Sequence, residues 1–389
     1  MNIAILSYSS ANYKSNRLII QAGKKRNHNV FVLNPKNLVM YLSDKEGQYR
    51  VYSNENGILQ RLTKIDCIIP RLTDVSKTVS IVDFFCSMGV YSTINSQSLI
   101  ICQSKWKTLV KANENGVKVP KTYFSNFSSE NLDAFIESLK FPIVLKLEKG
   151  SQGVGVMLFS EKQSLKTTAE TFSKQGTPFI LQEMITTKGK QHDFRTIVVG
   201  NECVASMKKT VHRNNEFRTN LARKGTAEPY NLSEEERLFC LKVAQSISDG
   251  GDTFGIDWMV QDGEPVLLEV NSNYGTQIID VVKYNFFDEL FLHIEMAVAD
   301  LNEEKKKKSL EIKENSFLYE EIQILTKELT KKENLLNEIF DNEKMKNLFR
   351  SLKGKSSAYT DSEKKEKKIK IIKPKQIIEM MLDMIEIEK

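Results

Sequence analysis

Two apolar runs, Gly255-Ile256-Asp257-Trp258-Met259-Val260 and Pro265-Val266-Leu267-Leu268-Glu269-Val270-Asn271, are joined by Gln261-Asp262-Gly263-Glu264. Asp-Gly is a strong hairpin signal, because both residues tolerate the backbone of a tight turn. A three-residue loop centred on Gly263 sets Asp257 directly across from Glu269. Asn271 then shares the face of Glu269, since strand side chains alternate. Two carboxylates and an amide oxygen at the end of a sheet suit magnesium, which takes one or two carboxylates and completes its shell with phosphate and water. The competing reading is a surface hairpin whose acids face solvent, and the apolar neighbours speak against it. A register slip of a single residue would separate the pair.

The residues before this hairpin alternate between strand-like and helical patterns. Asn2–Ser7 reads as a buried strand, Ser15–Arg26 as a helix, and Val30–Leu33 and Ile65–Pro70 as further strands. That order predicts an α/β layer with a parallel sheet. The first strand-to-helix turn, Ser7-Tyr8-Ser9-Ser10-Ala11-Asn12, has no glycine, which excludes a dinucleotide fingerprint there. Ser98–Asn115 reads as one helix, and Phe141–Lys146 and Val154–Phe159 as two strands around a glycine loop. In that loop, Glu148-Lys149-Gly150-Ser151-Gln152-Gly153-Val154-Gly155, three glycines let backbone N–H groups approach a phosphate. No Gly-Lys-Ser/Thr closes it, so it is not a P-loop, and by itself it could equally be a hairpin turn. Phe179–Ile185 reads as a strand running into a loop, and Asp193–Gly200 as a strand paired with Glu202–Lys208. Arg213, Glu216, Arg218, Asn220 and Arg223 follow around Phe217 and Leu221. Clustered arginines suit phosphate, because guanidinium offers paired donors to two oxygens, although a solvated basic loop has the same composition.

Composition bounds the function classes. No run approaches the length of a membrane span. The apolar opening Met1–Leu6 is too short for a signal peptide, and the five cysteines are scattered without a Cys-x-x-Cys pair. The expected compartment is therefore the cytoplasm. A net charge of +6 on 389 residues is mild, and no aromatic platform accompanies the arginines, so nucleic acid is not an expected partner. Charge density changes near Asp300: residues 301–389 hold 21 Lys+Arg and 18 Asp+Glu, nearly half of that segment. Ile312, Phe317, Leu318, Ile322, Leu325, Leu329, Leu336, Ile339 and Phe340 fall at mixed three- and four-residue spacings, predicting an amphipathic helix up to about Leu352. Such an extension suits self-association, packing on the body, or docking of a macromolecular substrate. Its last segment carries acids, which argues against a membrane surface.

The order of these pieces resembles the ATP-grasp superfamily, and within it the RimK-like amino-acid ligases. The shared stretches are Ile69-Pro70-Arg71, Val144-Leu145-Lys146-Leu147, Gly150-Ser151-Gln152-Gly153-Val154-Gly155-Val156 and Leu181-Gln182-Glu183-Met184-Ile185. They continue with Asp193-Phe194-Arg195, Phe217-Arg218-Thr219-Asn220-Leu221-Ala222-Arg223 and Leu268-Glu269-Val270-Asn271-Ser272, covering roughly residues 1–295 in unbroken order. The resemblance implies an α/β ATP-grasp fold of the α+β kind: an N-terminal parallel α/β domain (1–95), then two subdomains clamping ATP (96–187 and 188–300). A charged helical extension (301–389) follows.

Carried over residue by residue, the resemblance implies that Lys105 and Lys146 contact the nucleotide phosphates while Gly150, Ser151, Gln152, Gly153, Val154 and Gly155 close over them. Glu183 and Met184 would lie on the linker that holds adenine, and Asp193 on the ribose side. Asp257, Glu269 and Asn271 would bind one or two magnesium ions, with manganese an acceptable substitute. Arg218 would steady the transferred phosphoryl group, with Asn220 beside it. The implied activity is an ADP-forming carbon–nitrogen ligase acting through an acyl phosphate, which adds an amino acid to a peptide or protein or crosslinks it. No covalent nucleophile is needed, and His192 and His212 read as loop or structural histidines. Two departures fall on the acceptor side of the site: Tyr274 stands where the family commonly has proline, and Lys224 where a glycine is usual. Glutamate addition to a protein C-terminus is therefore not carried over from the resemblance. The other readings are a maturation ligase that makes side-chain amide or ester links in a precursor peptide, and a non-catalytic ATP-binding scaffold. Retention of Lys146, Arg218, Asp257, Glu269 and Asn271 argues against the scaffold.

Overall fold

The computed structural model describes residues 1–43, 48–124, 129–150, 154–186, 191–211, 225–248 and 252–341. Their contacts divide the chain into two units, Met1–Leu301 and Asn302–Lys389.

The chain opens with β1 (Asn2–Leu6), α1 (Lys14–Lys25) and β2 (Asn29–Leu33). An antiparallel trio follows, β3 (Leu38–Leu42), β4 (Tyr49–Glu55) and β5 (Ile58–Leu62). Then come β6 (Cys67–Pro70), α2 (Val75–Ser87) and β7 (Tyr91–Ser92). The first sheet has the order β2-β1-β6-β7 and every pair in it is parallel. In β1, Ala4 and Leu6 enter one core cluster while Ile3 and Ile5 enter another. Both faces are covered, which is why this strand reads as an unbroken apolar run. The β3–β5 trio was not legible in the sequence: Val39, Met40, Tyr41 and Leu42 of β3 are all exposed, and in β4 the alternating buried pair, Val51 and Ser53, has one polar member.

The expected helix over Ser98–Asn115 is in fact two, α3 (Ser96–Gln103) and α4 (Lys105–Glu114). Ser104 between them is extended, with φ −105° and ψ 116°, and its side chain accepts the Lys107 N–H as an N-cap. The apolar periodicity continues across the break, so the pattern could not reveal it.

The second sheet is antiparallel, with β8 (Thr122–Tyr123), then α5 (Ser129–Ser138), β9 (Ile143–Leu147), β10 (Val156–Phe159), α6 (Lys162–Lys174) and β11 (Phe179–Glu183). Its order is β10-β9-β11-β8. Leu132, Ile136, Leu165 and Ala169 from the helices pack on Ile143, Leu145, Phe179 and Leu181. That burial fixes the opposite face of β9, and Lys146 alternates onto it.

The third sheet has the order β14-β13-β12-β15-β16, built from β12 (His192–Val199), β13 (Glu202–Thr210), β14 (Thr226–Pro229), β15 (Thr253–Gln261) and β16 (Glu264–Asn271). Helix α7 (Glu234–Ile247) lies between β14 and β15 in sequence and starts with a capping box of Ser233 and Glu236. Its Val243, Ala244 and Ile247 join Phe194, Phe254, Ile256 and Trp258 in one core cluster. The chain continues through α8 (Gln277–Val282) into α9 (Phe287–Asp341). Phe287, Leu290, Phe291, Ile294 and Val298 are buried at helical spacing. Gly23 of α1 makes room for this contact, since a Cβ there would lie 2.6 Å from the Phe291 ring.

The extension does not begin as a separate element, because α9 runs through residue 300 without interruption. Within Asn302–Asp341, Leu310, Ile312, Phe317, Ile324, Leu325 and Leu329 are exposed. The expected continuation to Leu352 and everything beyond lies outside the described residues. Among the described residues, no helix is long and apolar enough to cross a membrane.

Candidate active site

The acidic hairpin forms, but by another route than the sequence suggested. Gln261 pairs with Glu264, so the turn holds two residues, Asp262 and Gly263, at φ 54° and 89°. An uninterrupted ladder from that turn would set Leu268 opposite Asp257. The register shifts between Asp257 and Trp258, leaving Leu268 as an extra residue, and Asp257 pairs with Glu269. Asn271 Nδ2 then donates to Asp257 Oδ2 at 3.2 Å and to Glu269 Oε1 at 3.0 Å.

Neighbouring strands add charge to the same face. Arg195 pairs across from Asp257, donating from Nε to Oδ1 at 2.9 Å and from Nη2 to Oδ2. Lys209 lies opposite Asp193, and its ammonium sits 3.1 Å from a carboxylate oxygen of Asp193 and of Asp257. Asp193, Lys209 and Asp257 are only 7%, 6% and 5% exposed. Burial alone would raise the Asp257 pKa, but Arg195 and Lys209 outweigh it and hold the carboxyl well below the usual range. Burial likewise works against charge on Lys209 and Arg195, and their acidic partners raise both. Asp257, Lys209 and Arg195 are thus held in their charged forms.

The second sheet supplies a cation, Lys146, that senses these acids. Burial, helped by Lys105, lowers the Lys146 pKa to about 8, against the opposing pull of Glu269, Asp193 and Asp257. Lys105 opens α4 and its Nζ donates to the Gly150 carbonyl at 3.1 Å. The helix start is held by Glu148, whose carboxylate takes the Ser104 hydroxyl and the Trp106 N–H at 3.3 Å. Gly150 and Gly155 have steric reasons to be glycine. A Cβ at Gly150 would lie 3.0 Å from the Val154 carbonyl, and Gly155 has φ +76° with Leu147 2.6 Å from its would-be Cβ. The Gly155 carbonyl accepts the Leu147 N–H at 2.9 Å, closing the loop's base. Val154 at the loop's edge is exposed.

Glu183 ends β11, and Met184 follows it. Their N–H groups are taken by the carbonyls of Lys121 (3.1 Å) and Pro142 (3.2 Å), and the Glu183 carboxylate faces Lys121 at 3.1 Å. Ser151, Gln152, Gly153, Arg218 and Asn220 lie outside the described residues, as do Arg213, Glu216, Arg223, Lys224 and His212. His192 begins β12 and sits edge-on to Phe194, with 5.5 Å between ring centroids.

Three contributors were not singled out from sequence: Arg195 as a partner of Asp257, Lys209, and Glu148 as a cap. For Lys209 the signal was present but displaced. The Gly200-Asn201 turn starts the β12–β13 ladder at Val199 and Glu202, and an uninterrupted ladder would bring Lys208 opposite Asp193. The irregularity between Ile197 and Val198 leaves Val204 over and moves Lys209 there instead.

The donor set tests the expected cation. Among the described residues no three His, Cys, Asp or Glu side chains gather in metal-binding reach. Two carboxylates and an amide are a hard oxygen set that fits magnesium and gives a zinc ion nothing it prefers. A half-turn of the Asn271 amide would aim its oxygen where its N–H groups now point. Among the described residues Glu269 takes a single hydrogen bond, from Asn271, whereas Asp257 already faces Arg195, Lys209 and Asn271.

Comparison with known proteins gives the same family for nearly the whole first unit. A model of the RimK PreATP-grasp domain matches residues 1–99, and one of the RimK-like ATP-grasp domain matches residues 102–293. A probable alpha-L-glutamate ligase of Trichodesmium erythraeum (strain IMS101) is 33% identical over 284 residues, covering 72% of this chain and 91% of that protein. Among solved structures, the ATP-grasp ligase PsnB complexed with a minimal precursor superposes with a TM-score of 0.59 at 15% identity, over 77% of this chain and 98% of that one. The macrocyclase MdnC bound with precursor peptide MdnA from Microcystis aeruginosa MRC gives 0.58 at 16% identity, over 77% and 100%.

Proposed function

The chain belongs to the RimK-like ATP-grasp family and is an ADP-forming carbon–nitrogen ligase, and from that premise we propose that it uses ATP and magnesium to join an amino acid to a peptide or protein carboxylate. The observation that carries this reading is the nearness of buried Lys146, with Lys105 beside it, to Glu269, Asp193 and Asp257. A sheet lysine and a helix-start lysine on one side, with acids from another sheet near them, are what a nucleotide triphosphate and its counter-ion require.

The chemistry has two steps. A carboxylate oxygen of the acceptor attacks the terminal phosphorus of ATP, forming an O–P bond as the bond to ADP breaks. The amine then attacks the acyl carbon, forming C–N as the C–O bond to phosphate breaks, and the ammonium proton leaves to solvent. The first step brings two anions together, so its barrier is electrostatic. Lys105 and Lys146 bind the phosphates and draw off charge that builds on them. Glu148 holds Lys105 in place by capping its helix. Closure of the glycine loop over the phosphates, as the family resemblance implies, would keep water from the acyl phosphate. Arg218, with Asn220, would steady the transferred phosphoryl group, as the family resemblance implies. Magnesium, when bound, neutralises phosphate charge; Glu269 and Asn271 would hold it with Asp257. Arg195 and Lys209 keep Asp257 ionised and fixed for that role.

The relative from Trichodesmium is named for glutamate, which makes L-glutamate the first amine to try. Phosphate release from ATP and magnesium would be followed across amino acids, with and without acceptor peptides, beside Glu269→Ala. Release that depends on one amine and one carboxylate and vanishes in the variant supports the proposal. Side-chain crosslinks in a single peptide would instead identify a precursor-maturation ligase. ATP binding without turnover on any pair would sink the ligase reading of this site.

A further inference from the structure

Arg71 is quoted among the family-like residues and has no part in the nucleotide site. Its backbone N–H donates to the Leu6 carbonyl at 2.9 Å, immediately beyond the paired ends of β1 and β6. It thus stands at the carboxyl edge of the parallel sheet, where open α/β sheets bind ligands. Its guanidinium lies over the Tyr274 ring, 5.4 Å from the centroid, and Nη2 donates to the Tyr274 carbonyl at 2.8 Å. Among the described residues no carboxylate neutralises it, and its buried Nε has no partner. Burial lowers its pKa, and only the phenols of Tyr274 and Tyr13 push the other way. A half-buried guanidinium whose buried Nε is unpartnered, with no counter-ion among the described residues, calls for an anion.

The Tyr274 contact places that anion close to the chemistry. Tyr274 is 3% exposed and packs on Gly255, where a Cβ would lie 2.6 Å from the Tyr274 Cβ. Gly255 pairs with Asn271, two residues from Asp257 along β15. A second link, Asn273 Nδ2 to the Leu72 carbonyl at 3.4 Å, ties the same two segments. Arg71 is therefore fastened to the loop that leaves the acidic hairpin, while the phosphate-facing lysines belong to other elements. Proline at 274 could not supply an aromatic face beneath the guanidinium.

We infer that Arg71, with its guanidinium set by Tyr274, binds the non-reacting carboxylate of the incoming amino acid and thereby aims its amine at the acyl phosphate. This inference rests on the ligase reading. The fork matches a carboxylate with two parallel hydrogen bonds, a geometry lysine cannot copy.

The test is initial-rate kinetics with L-glutamate as the amine and an N-acetylated glutamyl peptide as the carboxylate. Arg71→Ala and Arg71→Lys should each raise KM for the amino acid about 10- to 100-fold, with KM for ATP unchanged. Tyr274→Ala should shift KM for the amino acid in the same direction. Glutamate 1-amide, which lacks the α-carboxylate charge, should be poor for the wild type and no poorer for Arg71→Ala than glutamate is. A rise in KM for ATP in place of the amino-acid effect would mean that Arg71 serves phosphate, and would overturn the assignment. So would unchanged amino-acid KM in the folded lysine variant, its fold checked by thermal melting. A wild-type enzyme inactive on every pair would remove the ligase reading, and this assignment with it. Active wild type with indifferent Arg71 variants would remove only the assignment.

Discussion

Lys209 reaches across an entire strand to Asp257. It leaves β13, passes beside Arg195 on β12, and places its ammonium 3.1 Å from Asp193 and 3.1 Å from Asp257 on β15. A single buried cation thus serves two buried acids, and its removal leaves both under-compensated. Lys209→Met should cost about 3 kcal/mol of stability, as expected for breaking a buried ion pair. Urea unfolding measures this, and a loss below about 1 kcal/mol would show that Arg195 alone suffices.

Among the described residues Glu269 has fewer partners than Asp257, so its contribution is to the cation more than to the fold. Glu269→Gln should leave the melting temperature within a few degrees of the wild type. It should raise the magnesium concentration needed for half-maximal phosphate release by about 10-fold or more. Chelation of divalent ions should stop turnover of the wild type, with magnesium restoring it. A variant with unchanged magnesium dependence would remove Glu269 from the metal site.

Lys146, lowered to about 8, makes ATP affinity depend on pH. Burial holds this value below that of the unfolded chain, so the charged group disfavours folding most below pH 8. That penalty fades as pH rises from 8 towards about 10. Nucleotide phosphates act in the opposite sense, because they favour the ammonium. Above pH 8 binding must take up a proton, and affinity should weaken by up to about tenfold per pH unit. Calorimetry in buffers of different ionisation heat would detect that proton. Lys146→Met should bind ATP weakly and with a flat profile, and a flat profile in the wild type would exclude Lys146 from the phosphate site.

Glu148 links helix stability to nucleotide binding. It accepts the Ser104 hydroxyl and the Trp106 N–H at the start of α4, the helix that begins with Lys105. Glu148→Ala should cost about 1 to 2 kcal/mol as a lost cap. It should also raise KM for ATP several-fold, since Lys105 loses its anchor. Glu148→Gln should recover most of the stability. If KM for ATP stays constant while stability falls, the cap and the site are independent.

Most strands of the three main sheets, though not β7, β8 or β14, could be read from the sequence because burial leaves a plain record in residue type. Covered on both faces, β1 is a continuous apolar run, and the Asp262-Gly263 pair marks the β15–β16 turn. Other features left no such record. Ser104 breaks a helix whose apolar spacing continues through it, and β3–β5 expose residues on both faces. Glu148 caps a helix more than forty residues before it, a contact with no local signature.

What the sequence by itself determined is the chemical inventory and its order: the lysines, the glycine loop, the paired acids, and the strands that carry them. Which residues share a face was decided by tertiary structure. Side chains alternate along a strand, so one extra residue sends everything beyond it to the other side. Val204 is such a residue in β13 and Leu268 in β16. Without them Lys208 and Leu268 would stand opposite Asp193 and Asp257. With them Lys209 and Glu269 do, and an apolar gap becomes a charged site. Each turn alone predicts the unshifted ladder. Only packing of the whole sheet, with Trp258 buried on one face and the ion pairs satisfied on the other, makes the bulged register lower in free energy.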